Sequence, residues 1–129
     1  MANIEFLNLE IVLAIHDEQL VMFGGSSGLR DIGLLESAIA QPQASFGGEY
    51  LHGDLFLMAA AYAYHIAQNQ PFVDGNKRTG IIAALTFLDL NDVAVETPSM
   101  RLYQAMIDIA ERRLDKAGLA ELLRELAST

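Results

Sequence analysis

The chain has no cysteine, which excludes disulfides, thiolate nucleophiles and cysteine-ligated zinc and fits a cytoplasmic protein. It has only three histidines, His16, His52 and His65. They lie far apart in sequence, with no HxxxH spacing, so a histidine-built metal site is not expected. Basic residues are few and scattered, 8 against 17 acidic ones. The net charge of −9 argues against nucleic-acid binding, which draws on many Lys and Arg contacts with phosphate. No apolar run reaches the ~20 residues that cross a bilayer, so no membrane association is expected. The N-terminus lacks the basic-then-apolar order of a signal peptide. Repeats, low-complexity tracts and linkers are missing as well.

What remains is rich in apolar side chains. Of 129 residues 52% are hydrophobic and only 19% charged, enough for a real core in a single domain over residues 1–129. The organisation reads as helical. Asn8 precedes an apolar-periodic run that stops at Gly24-Gly25, an Asn start and a Gly stop. Asp31 caps a short helix carrying Leu34, Leu35, Ala38 and Ile39 that ends before Pro42. Residues 43–53, with Phe46 and Tyr50, break the helical period. Residues 54–68 and 79–90 are almost continuously apolar and have little polar face, which predicts a central hairpin of two buried helices. Val93-Ala94-Val95 reads as a short extended piece. Thr97-Pro98 offers an N-cap with proline at the first helical position. Asp115 opens a last helix with Leu119, Leu122, Leu123 and Leu126 on one face. The expected architecture is a compact all-α bundle with amphipathic helices round the hairpin.

Between the two central segments lies Pro71-Phe72-Val73-Asp74-Gly75-Asn76-Lys77-Arg78. Pro71 disfavours helix at Gln70 and breaks the first segment there. Gly75 permits a tight turn and removes a side chain that would block a ligand. With the second helix starting near Asn76, its first N–H groups and the positive end of its dipole point into the loop, a ready anion site. Lys77 and Arg78 add full charge, and Arg grips phosphate oxygens in a bidentate fork. Asp74 is a hard oxygen ligand suited to Mg²⁺ carried with substrate phosphates. Asp-Gly-Asn is also ordinary turn composition, and Lys-Arg after it suits a solvated helix start. The loop is not a Walker A loop, since no Gly-Lys-Ser/Thr stands at the required spacing.

These eight residues resemble the signature of the Fic/Doc family, His-Pro-Phe-x-Asp/Glu-Gly-Asn-Gly/Lys-Arg. Lys77 and Thr79 resemble its death-on-curing (Doc) branch rather than the AMP-transferring Fic branch, which has Gly in place of Lys77. A looser likeness covers 28–38, from Gly28-Leu29-Arg30-Asp31 to Ala38, and Tyr64-His65-Ile66 before Gln68-Asn69. The resemblance implies a small helical domain with the motif between two central helices, and residues 43–53 as a flap that aligns a target segment by strand pairing. It implies that Asp74 holds Mg²⁺, that the backbone at Gly75, Asn76 and Lys77 cradles phosphate, and that Lys77 and Arg78 neutralise it. It further implies ATP as substrate, a threonine of elongation factor Tu as acceptor, a halt to translation, and a small antitoxin protein as partner.

The head of the motif departs from the family. Gln70 stands where the histidine takes the proton of the target hydroxyl, and an amide has no useful basicity at neutral pH. Losing a general base costs about 10² to 10⁴-fold in rate. The expected function is therefore a Doc-like toxin kinase impaired at Gln70. The alternatives are a non-catalytic nucleotide- or protein-binding module and an AMP-transferring Fic enzyme. The other histidines offer no substitute base: His65 reads as a satisfied core residue, and His16 and His52 as structural or surface residues.

Overall fold

The computed structural model describes residues 3–97 and 99–127. Among them are six helices, α1 (Leu9–Phe23), α2 (Ile32–Ala40), α3 (Leu55–Asn69), α4 (Asn76–Leu90), α5 (Met100–Ala110) and α6 (Lys116–Leu126). A 3₁₀ turn, Gln41–Gln43, follows α2, and the strands β1 (Ser45–Phe46) and β2 (Glu49–Tyr50) form a small antiparallel hairpin. The all-α expectation holds, and the hairpin falls where the helical period was seen to break.

Most helix starts follow from short polar side chains that take a free N–H of the first turn. Asn8 accepts from Ile11, Asp31 from Leu34, Asp54 from Leu57 and Asp115 from Gly118. At α5 the sequence expectation is corrected. The helix begins at Met100 with Ser99 as its cap, accepting from Leu102, and Thr97 does not cap it. Val95 bridges Ala127, and the N–H of Glu96 donates to the Leu126 carbonyl at 2.9 Å, so the chain is still tied to α6 at residue 96. Pro98, expected at the first helical position, lies outside the described residues.

The centre of the molecule is α3, which buries Met58, Ala59, Ala60, Ala61, Tyr62, Ala63, Ile66 and Ala67. It touches α2, α4, α5 and α6. Each large side chain on it, such as Met58 or Ile66, is worth about 1.5–3 kcal/mol of burial. The run of alanines lets the neighbours come close. At Gly80 on α4 an added Cβ would stand 3.0 Å from the Ala63 carbonyl oxygen, so α4 lies directly on the backbone of α3. The amphipathic α5 and α6 cover α3 with Leu102, Ala105, Met106 and Ile109 and with Leu119, Ala120 and Leu123. The other face of α4 carries α1. The close pairing of α3 and α4 fixes the short link between them, residues 70–75, at one end of the bundle.

Candidate active site

At the end of α3 the backbone of Gln70 turns into the left-handed region, φ 48° and ψ 57°. For a residue with a side chain this costs on the order of 1–3 kcal/mol and persists only where the surroundings enforce it. Arg30 supplies that enforcement. Its Nε donates to the Gln70 carbonyl at 2.7 Å and its Nη2 to the Asn69 carbonyl at 2.8 Å, a cation on the negative end of α3. The Pro71 carbonyl accepts from the backbone of Arg30 and Asp31, and the N–H of Val73 donates to Gly28. The segment joining α1 to α2 therefore runs beside the motif and pins it.

Asn76 closes the loop from the far side. Its Oδ1 accepts from the N–H of Phe72 and its Nδ2 donates to the Phe72 carbonyl, both at 3.0 Å. Only a side-chain amide offers a donor and an acceptor side by side in this way. Gly75, at φ 79°, is the N-cap of α4 and supplies no side chain to the first turn. This makes α4 different from the other five helices among the described residues, each of which has a capping side chain. Its leading N–H groups keep their capacity for an external acceptor.

The charges follow the same logic. Asp74 is exposed, and each oxygen accepts one backbone N–H, Oδ1 from Gly75 at 2.9 Å and Oδ2 from Ser26 at 3.2 Å. These two N–H groups hold the carboxyl below the ordinary carboxylate range against the opposing effect of burial, and Arg78 and His16 add to the lowering. Gly25 makes room for it: an added Cβ there would stand 2.7 Å from Oδ2. Lys77 and Arg78 are exposed and take part in none of the ion pairs found among the described residues. The Arg78 guanidinium lies 4.6 Å above the Phe23 ring, which orients it while leaving its donors for an anion.

All six residues singled out in the sequence, Gln70, Asp74, Gly75, Asn76, Lys77 and Arg78, line one cleft of about 420 Å³. Ala67 of α3, Ile81 of α4 and Tyr103, Met106 and Ile107 of α5 complete its wall. A polar, cationic floor thus meets an apolar side, a combination that suits a molecule with both a phosphate and an apolar ring. The residues fit a magnesium ion that arrives with phosphates. Asp74 is ionised and retains lone pairs beyond its two N–H contacts, and no group of three or more His, Cys, Asp or Glu forms a cage among the described residues.

Sequence reasoning missed two supports of this site, Arg30 and His16. His16 is buried, lies parallel to the Phe72 ring at 3.7 Å, and donates from Nε2 to the Asp74 carbonyl at 2.8 Å. The remaining histidines stand elsewhere. His65 is not the core residue expected, but half-buried on the flank of α3. Lys116 donates to its Nε2 at 3.1 Å and to the Nε2 of His52 at 3.2 Å.

With this geometry in view, the class of protein is defined. The chain belongs to the Fic/DOC family, whose model matches residues 6–88, from the approach to α1 through the motif into the last turn of α4. Two relatives narrow the comparison to one branch. The chain is 38% identical over 126 residues to Toxin Doc of Mycolicibacterium smegmatis (strain ATCC 700084 / mc(2)155), covering 96% of this chain and 95% of that one. It is 34% identical over 117 residues to Protein kinase doc of Escherichia phage P1, covering 91% of each.

Proposed function

We propose that the chain is a Doc-like toxin of a toxin–antitoxin pair, a transferase that moves the γ-phosphate of ATP to a protein hydroxyl in the cytoplasm. The observation that carries this reading is the start of α4, a helix N-terminus with no capping side chain, flanked by two cations that make no ion pair among the described residues. The names of the two relatives, a toxin and a protein kinase, support it. A bound Mg²⁺ would neutralise phosphate charge beside Asp74. The N–H groups at Asn76 and Lys77 would take phosphate oxygens, and Arg78 would hold them as a fork. Lys77 favours the orientation that presents the terminal phosphate, in keeping with the Doc branch. The acceptor we propose is a threonine of elongation factor Tu, with arrest of translation as the result, and a small antitoxin protein as the neutralising partner.

Gln70 lines this cleft, where it would hydrogen-bond an incoming hydroxyl but could not remove its proton. That observation favours a second reading, in which the chain binds nucleotide or a protein partner without turnover. Gln70→His separates the two. The kinase reading expects transfer of labelled γ-phosphate to elongation factor Tu to rise by roughly 10² to 10⁴-fold, with nucleotide affinity little changed. A variant that binds Mg·ATP normally, yet stays inert on the factor and harmless in cells, would leave the binding-module reading. Labelled adenylate on the target instead would mark AMP transfer.

A further inference from the structure

We propose that His16 is a positioning residue for Asp74, acting through the peptide unit that joins Asp74 to Gly75. This rests on the reading of Asp74 as the carboxylate that faces the metal-bound phosphates. The unit is held at both of its polar atoms. Its carbonyl accepts from His16 Nε2 at 2.8 Å, and its N–H, that of Gly75, donates to Asp74 Oδ1 at 2.9 Å. Turning the peptide plane would therefore move the carboxylate with it. His16 sets the carbonyl, and the carboxylate follows.

The imidazole is itself fixed. It is 3% exposed, and its plane lies 6° from that of Phe72, at 3.7 Å between centroids. A carbonyl only accepts, so Nε2 carries hydrogen. Gly75 passes over the ring, where a Cβ would come to 3.6 Å from both Cδ2 and Nε2. The segment after α1 grips the same acid from the other side, through the N–H of Ser26 on Oδ2 and the close approach at Gly25. Thus α1 and its exit hold Asp74 by backbone and by carboxylate at once. A histidine that merely filled space could be exchanged for phenylalanine, a planar ring of similar shape that can also stack on Phe72. The hydrogen bond to Asp74 is what phenylalanine lacks.

The test compares His16→Phe, which keeps the stack and loses the donor, with His16→Gln, which keeps an N–H donor. Amide hydrogen exchange over residues 73–77 in the nucleotide-free protein reads the loop directly, and calorimetric titration with Mg·ATP reads its consequence. In His16→Phe we expect native circular dichroism, about tenfold faster exchange in the loop and about tenfold weaker Mg·ATP binding, the worth of one buried hydrogen bond. His16→Gln should recover most of both. Wild-type exchange and wild-type affinity in His16→Phe would overturn the proposal. Should the unmutated protein fail to bind Mg·ATP, the reading of the phosphate site falls, while the exchange rates still decide the role of His16. Should His16→Phe fail to fold, the imidazole proton spectrum of the unmutated protein decides. A slowly exchanging Nε2–H is expected, and an Nδ1–H tautomer would contradict the proposal.

Discussion

At the start of α4, Lys77 and Arg78 stand beside uncapped N–H groups and make no ion pair among the described residues. On another flank of α3, Lys116 reaches inward between His52 and His65 and donates to both rings. An ammonium only donates, so both imidazoles are neutral there, with hydrogen on Nδ1. Both regions are polar clusters set against the same buried helix, and both contain cations in a protein of net charge −9. They differ in what is left over. The Lys116 cluster uses its lysine on its own acceptors and ties α3, α6 and the segment after the hairpin together. The motif loop spends its hydrogen bonds on holding its shape, through Arg30, Asn76 and His16, and leaves its cations and helix dipole facing a cleft. On the proposed reading, a binding site is marked by unused donor capacity on a rigid frame, and a polar cluster alone does not mark one.

The contrast breaks most strongly if the frame is disturbed. Gly25→Val should cost about 1–3 kcal/mol, since residue 25 has φ +114° and the new side chain would collide with Asp74. It should also abolish measurable Mg·ATP binding. Gly24→Ala is the matched control, with positive φ but open space around it. It should lose about 1 kcal/mol by chemical denaturation and keep its affinity. Equal loss of binding in both would mean that strain in the segment, not the contact with Asp74, controls the site.

A smaller effect sharpens the other side of the comparison. His65 takes a proton only at about 4, held down first by burial and then by Lys116 and His52. His52 is lowered too, by burial and then by Lys116. In the unfolded chain both protonate near 6.5. Between those values the unfolded state binds more protons, so stability is complete above about 6.5 and falls as the pH falls towards 4. The depressed carboxylates, Asp54, Asp74 and Asp108, lose their contribution only as pH falls below about 3.8, which leaves the window to the histidines. Urea unfolding from pH 7 to 4.5 should show a loss of about 1–2 kcal/mol, the half-buried rings being partly screened by solvent. Lys116→Met should shrink the slope without removing it, because burial is the larger cause. The pair His52→Gln and His65→Gln together should flatten it.

Much of this was legible in the sequence because it is local. A cap and the N–H it serves lie three residues apart, so Asn8, Asp31 and Asp115 announced their helices, and Pro71 announced the break at Gln70. The start of α5 was not legible, since tethers from residues 95 and 96 to α6 decide between two capping residues, Thr97 and Ser99. The motif named its own six residues. Its supports were hidden, because His16 meets Asp74 across 58 positions and Arg30 meets Gln70 across 40. An amphipathic helix gives no sign of which loop its one buried histidine will hold. The Lys116 cluster, built across separations of 64 and 51, was invisible for the same reason.

The central claim, that the open donors of α4 form a phosphate site while the one cation of the other cluster, Lys116, is structural, is tested most directly by one calorimetric series. Mg·ATP is titrated into the unmutated protein, Arg78→Ala and Lys116→Met. Saturable binding is expected in the unmutated protein. Arg78→Ala should weaken it by about 10 to 100-fold, the range for charge-assisted hydrogen bonds, and Lys116→Met should leave it unchanged. No heat of binding in the unmutated protein, or equal weakening in both variants, would contradict the account.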